Sequence, residues 1–128
     1  MHLGYFGLMG YRQRGKPPHE VFREHIEQVI HADRLGFEIA WFAEHHFSNY
    51  CICPSPLIMA ARCAGVTQHI RLGSAVVVTP LYDPARLLAE IGMSIAYRRV
   101  GWFSEWAAAI SLTSSNASGR TSRKHGRC

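Results

Sequence analysis

Residues 39–49 read Ile39-Ala40-Trp41-Phe42-Ala43-Glu44-His45-His46-Phe47-Ser48-Asn49, a short apolar run that breaks abruptly into a carboxylate and two adjacent imidazoles. An apolar run bounded by turn signals reads as a strand buried on both faces. At its end Glu44, His45 and His46 can accept, donate or relay protons near neutral pH. In parallel α/β proteins ligands gather where strands end at their carboxyl side, so this strand end is the candidate site.

The segments on either side supply the rest of a parallel sheet. Residues 3–9 are apolar, aromatic and punctuated by Gly4, Gly7 and Gly10, and read as a first strand whose glycines let something approach the backbone. Residues 11–18 are polar, basic and end in Pro17-Pro18, which predicts a loop. Across 21–35 the apolar residues Phe22, Ile26, Val29 and Ile30 fall on one helical face. On the outer face Glu20 with Arg23, and Arg23 with Glu27, are spaced to pair across a turn. Gly36 is placed to end that helix, and the strand at 39–43 follows at once, giving strand, helix, strand in the length a βαβ unit needs.

Beyond the histidines, Ser55-Pro56 reads as an N-cap followed by the first helical residue, opening a helix to about Gly65. Residues 70–78 form a β-branched run of the kind found in central parallel strands. Asp83-Pro84 repeats the cap-then-proline signal, and Leu87, Leu88 and Ile91 are assigned to the inner face of the next helix. Strands alternating with helices at this spacing mean a parallel sheet, either doubly wound or a barrel.

Charge divides the chain. The formal net charge of +5 looks like a nucleic-acid signal until it is located along the sequence. Residues 1–93 carry eight Lys or Arg against eight Asp or Glu, whereas 94–128 carry six against the single Glu105, so the whole excess lies in the tail. That tail holds Trp102 and Trp106 and then turns to Ser, Thr, Asn, Gly and Arg, a composition that favours disorder. Arginine with aromatics can also grip single strands, which makes a non-catalytic interaction module with an RNA-contacting tail the alternative function. The neutral body argues against nucleic acid as the main partner.

No stretch approaches the roughly 18 apolar residues of a membrane span, and the start lacks a leader pattern, so a cytoplasmic protein is expected. Cys51, Cys53, Cys63 and Cys128 read as reduced thiols behaving as small apolar residues. One residue between Cys51 and Cys53 is tighter than structural zinc spacing, and no metal site is assigned.

Several ordered motifs resemble the bacterial luciferase-like, flavin-dependent monooxygenase family. They are Trp41-Phe42-Ala43-Glu44-His45-His46-Phe47, then Cys53-Pro54-Ser55-Pro56, then Ile70-Arg71-Leu72-Gly73-Ser74-Ala75-Val76-Val77-Val78-Thr79-Pro80, and Asp83-Pro84-Ala85-Arg86 leading to Glu90-Ile91-Gly92-Met93. The resemblance covers residues 1–93 and implies an α/β fold: the N-terminal (βα)₃ portion of a TIM-type (β/α)₈ barrel. It implies chemistry on reduced FMN or a deazaflavin, with a small-molecule substrate and a flavin reductase as partners. His45 would serve as proton donor or base, with His46 and Glu44 orienting it and the flavin. Ser74, Ala75 and Val76 would lie against the flavin, with a cis peptide between Ala75 and Val76; read from the residues alone, 73–78 is simply strand.

After Met93 the family pattern stops: a glycine-bearing strand and a phosphate-gripping loop are expected next and are not in the sequence. A whole barrel needs about 250 residues, so the matching residues 1–93 hold less than half of one, and the chain is expected to be inactive alone and not to retain the flavin. The open parallel edge is expected to drive self-association. Reading the codons of 96–119 from their third base permits a peptide containing Gly-Arg-Leu-Val-Leu-Gly-Val-Gly-Ser-Gly, which is similar to the missing family segment. Trp102 before Phe103 forces valine in that frame, and Trp106 before Ala107 forces glycine. The tail at 94–128 therefore reads as out-of-frame translation. Sequencing the coding DNA across the Met93 codon is expected to show an uninterrupted family-like frame continuing downstream; its absence would refute the frame change.

Overall fold

A computed structural model describes residues 2–12 and 16–97. The element order is β1 (Gly4–Gly7), α1 (Pro18–Arg34), β2 (Ile39–Phe42), α2 (Pro56–Ala64), β3 (Arg71–Ser74), a 3₁₀ turn (Thr79–Leu81) and α3 (Pro84–Tyr97). The three strands form one parallel sheet in the order β1-β2-β3. This is the α/β architecture expected from the alternation of strand and helix signals. The register aligns Gly4, Ile39 and Arg71 at one end and Gly7, Phe42 and Ser74 at the other.

Alternation along the strands separates the two faces. Ala40, Phe42 and Leu72 are buried with Val21, Val29 and Ala32 of α1 and Met59, Ala60 and Cys63 of α2, forming the main core. Ile39 and Trp41 point to the other face and are only half-buried, while Phe6 beside Trp41 is 55% exposed. The expectation of a strand buried on both faces is thus corrected: among the described residues the helices cover one face only. Gly73 completes a row with Phe6 and Trp41, and a Cβ there would come within 2.6 Å of the Trp41 ring. The indole therefore occupies space that any larger residue at 73 would take.

Local chemistry explains the helix ends. Pro18 opens α1, and Gly36 closes it with φ 80°, while the Gly36 and Phe37 N–H groups donate to the Asp33 and Ala32 carbonyls. That pair of bonds is the Schellman arrangement, which needs a residue comfortable at positive φ. Ser55 Oγ accepts from the Ile58 N–H and Pro56 is the first helical residue of α2, as expected. Asp83 Oδ1 likewise accepts from the Arg86 N–H to start α3. On α1 the expected Arg23–Glu27 pair forms at 2.7 Å.

Other expectations are corrected. β1 is shorter than 3–9, since Met9 turns to φ 51° and buries its side chain. The expected strand at 70–78 ends at Ser74; the Ala75-Val76 peptide that follows is cis and Thr79–Leu81 forms a 3₁₀ turn. Leu87 and Ile91 pack with Leu57 and Val77 in a second small core, but Leu88, assigned to the same inner face, is 66% exposed. Helix α3 runs past Met93 to Tyr97. The expected disordered tail and Cys128 lie, from residue 98 on, outside the described residues. Cys51, Cys53 and Cys63 are buried.

One connection had no sequence signal. The Asp33 carboxylate, at the end of α1, accepts from the N–H groups of Gln68 at 2.7 Å, His69 at 2.9 Å and Ile70 at 2.6 Å, pinning the entry to β3. Burial raises its pKa, but the three backbone donors outweigh that and hold it below its ordinary value. A carboxyl with a depressed folded pKa stabilises the fold above its unfolded pKa and ceases to do so as pH falls through the folded value. Asp33→Ala is expected to cost about 1–3 kcal/mol in urea denaturation at pH 7. It should also flatten the loss of stability that the wild-type chain shows as pH drops below about 4.

Candidate active site at the carboxyl ends of the strands

Residues 43–46 leave β2 outside any helix or strand, and their contacts show how the three ionisable side chains separate. Glu44 and His46 meet, with His46 Nε2 2.7 Å from Glu44 Oε1. His45 points elsewhere: its ring stands edge-on to the Tyr50 ring at 5.1 Å, and its N–H donates to the Cys53 carbonyl at 3.0 Å. The three residues expected to act together are thus a bonded pair and a separate, exposed imidazole.

Glu44 is 3% exposed, the only acidic residue among the buried polar groups of the described residues. Burying a carboxylate is expensive unless its lone pairs are filled. Here one oxygen faces His46 and the other accepts from the Val78 N–H at 2.9 Å. Glu44 and Ser55 are neighbours of the Tyr82 phenol. Burial, and next the neighbouring Glu44 charge, push the Tyr82 phenol up to about 12, so it stays protonated near neutral pH. Burial and, among smaller causes, Cys51 and Glu44 push the Cys53 thiol up to about 11, which leaves it an inert packing group.

The residues expected to bear on a cofactor divide as well. Ser74 shares a face with Phe42 and Leu72, and its Oγ is buried without a hydrogen-bond partner. The cis Ala75-Val76 unit follows at once, tied to β2 by the Ala75 N–H on the Phe42 carbonyl, and Val76 is 51% exposed. An exposed imidazole, a carboxylate-held imidazole, an uncommitted hydroxyl and an open apolar surface fit one wall of a site for a cofactor that exchanges protons. Among the described residues no group of three His, Cys, Asp or Glu is placed to hold a metal ion.

A family model described as luciferase-like monooxygenase matches residues 1–93. The chain belongs to the luciferase-like monooxygenase family. It is 54% identical over 92 residues to the uncharacterized protein y4vJ of Sinorhizobium fredii, covering 72% of this chain and 26% of the relative. It is 39% identical over 75 residues to the oxygenase component of the flavin-dependent trigonelline monooxygenase of Acinetobacter baylyi, covering 59% of this chain and 21% of the relative. The oxygenating constituent of 3,6-diketocamphane monooxygenase from Pseudomonas putida, solved in complex with FMN, shares the fold: TM-score 0.70, 24% identity, 76% of this chain and 26% of that one. The chain therefore spans about a quarter of the length of these luciferase-like relatives.

Sequence reasoning located Glu44, His45 and His46 but not the groups around them. Val78 contributes only its N–H, which no side-chain pattern advertises. Tyr82 lies 38 residues beyond Glu44 in sequence; its one available signal was a polar-tipped aromatic next to a helix cap. Glu44→Ala leaves the Val78 N–H and the His46 Nε2 without their partner. It is expected to cost roughly 2–3 kcal/mol by urea denaturation, whereas His45→Ala, at an exposed position, should stay within about 0.5 kcal/mol.

Proposed function

We propose that residues 1–93 are the first three strand–helix units of a flavin-dependent monooxygenase barrel, with the end of β2 as its proton-handling corner. The observation that carries this is the buried Glu44 carboxylate, held between His46 and the Val78 N–H beside the Ala75-Val76 unit. Reduced FMN, or a deazaflavin in the same place, would supply the electrons that activate oxygen or pass as hydride. His45, exposed and turned away from Glu44, is the group free to hand a proton to the reacting atoms. His46 Nε2 is held against Glu44 Oε1 and so presents a fixed face to the site. Ser74, Ala75 and Val76 line the flavin side, the exposed Val76 giving it an apolar surface that excludes water.

The remaining strands of a barrel supply what this wall lacks, so the chain alone does not retain flavin and does not turn over. A separate reductase delivers the reduced flavin, and the substrate is a small molecule. Among the described residues no helix is long and apolar enough to cross a membrane, in keeping with a cytoplasmic setting. The half-covered face bearing Phe6 and Trp41, together with the free sheet edges, supports self-association of the chain. The basic residues beyond Met93 are given no role in this chemistry.

Grafting residues 1–93 onto the part of the Sinorhizobium relative that follows its matching segment tests the function. The chimera is expected to bind FMN and to consume oxygen when a reductase keeps the flavin reduced. His45→Ala in that chimera should lower coupled product formation about 10²- to 10⁴-fold with FMN binding kept. A chimera that binds FMN and is indifferent to His45→Ala would contradict the assignment.

A further inference from the structure

A third histidine, His25 on α1, has no part in the function proposed above, yet it holds the backbone that leads to the site. Just beyond β1, Met9 turns to φ 51°, a left-handed conformation that residues other than glycine adopt rarely, and its side chain is fully buried. Both of its backbone polar groups are engaged. The N–H donates to His25 Nε2 at 3.2 Å, and the carbonyl accepts from the Ile52 N–H at 3.1 Å. Alongside, the Tyr11 N–H donates to the Asn49 carbonyl at 2.9 Å, so the segments that follow β1 and β2 are laced together.

The partners of His25 fix where its hydrogen sits. A backbone N–H can only donate, so Nε2 faces Met9 as a bare acceptor. The Val21 carbonyl, 2.9 Å from Nδ1, can only accept, so Nδ1 carries the hydrogen. The ring is thereby a neutral bridge from the start of α1 to the turn at Met9. From Met9 the connection runs to the site: the Tyr50 ring stands edge-on to His45 at 5.1 Å, and the Cys53 carbonyl accepts the His45 N–H at 3.0 Å. We infer that His25 is a positioning residue: through Nε2 it holds Met9 in its left-handed turn, which sets the segment 49–53 and with it the place of the His45 imidazole. The inference rests on reading His45 as the proton-handling group. His25 itself acts through backbone bonds and touches no reacting atom.

Nitrogen NMR and amide hydrogen exchange on the full 128-residue chain test this, at about pH 8. The wild-type His25 spectrum is expected to show hydrogen on Nδ1 and none on Nε2. His25→Ala should speed exchange at the Met9 and Ile52 amides at least about tenfold and weaken the cross-relaxation between the His45 and Tyr50 rings, while the sheet amides of Ala40 and Leu72 stay as slow as before. His25→Gln, whose side-chain oxygen reaches as far as Nε2, is expected to restore slow exchange and the ring contact. His25→Asn, which reaches only as far as Nδ1, is not. Hydrogen on Nε2, rescue by Asn equal to rescue by Gln, or equal acceleration at Ala40 and Leu72 would overturn the inference. If the alanine variant fails to fold, the wild-type tautomer and the Gln and Asn pair still decide. None of these readouts needs flavin, so a chimera indifferent to His45→Ala would defeat the functional reading and leave them standing.

Discussion

A carboxylate withdrawn from water must have its oxygens filled by donors, and at Glu44 that requirement ties together parts of the chain that are far apart in sequence. The partners come from His46 on its own segment and from the Val78 N–H after β3. Satisfying them brings the end of β2 against the segment 76–82 and fixes where both stand over the sheet. The parallel ladder beneath provides the platform: the Ala43 N–H bonds the Gly7 carbonyl and the Ala75 N–H bonds the Phe42 carbonyl, extending the strand pairing up to the site. An apolar residue at 44 would bury as well but would gather none of these groups.

Parallel strands need helical crossovers, and the crossovers decide which face of the sheet is dry. Helices α1 and α2 cover Ala40, Phe42 and Leu72, while Trp41 lies over Gly73 on the face that the described residues leave half-open. Dry and open faces meet at the carboxyl ends, where Glu44 is buried and His45 is exposed only one residue apart. That contrast lets one imidazole be held while its neighbour remains available. Asp33 plays the matching part at the opposite end of the sheet, where three backbone donors anchor the start of β3.

The element order was legible because strand and helix leave different periodicities, and the caps at Ser55 and Asp83 were legible because capping is local chemistry. The end of β3 was not: Ala75 to Val78 are strand-forming residues, yet β3 ends at Ser74 and the Val78 N–H turns to Glu44 instead. Leu88 was misassigned because an i, i+1 pair of leucines cannot share one helical face, and burial selected Leu87. Glu44, His45 and His46 were visible as residue types at a strand end, but the choice of His46 as partner depends on how the chain runs beyond β2. The places of Val78 and Tyr82 depend on packing between segments more than 30 residues apart, which no local pattern encodes.

Glu44 clasps the segment after β3 through the Val78 N–H. Amide hydrogen exchange at Val78 measures that contact directly. The clasp requires the Val78 amide to exchange as slowly as the sheet amides of Trp41 and Phe42, despite lying outside any strand. Exchange at Val78 at the rate of an open loop would contradict it.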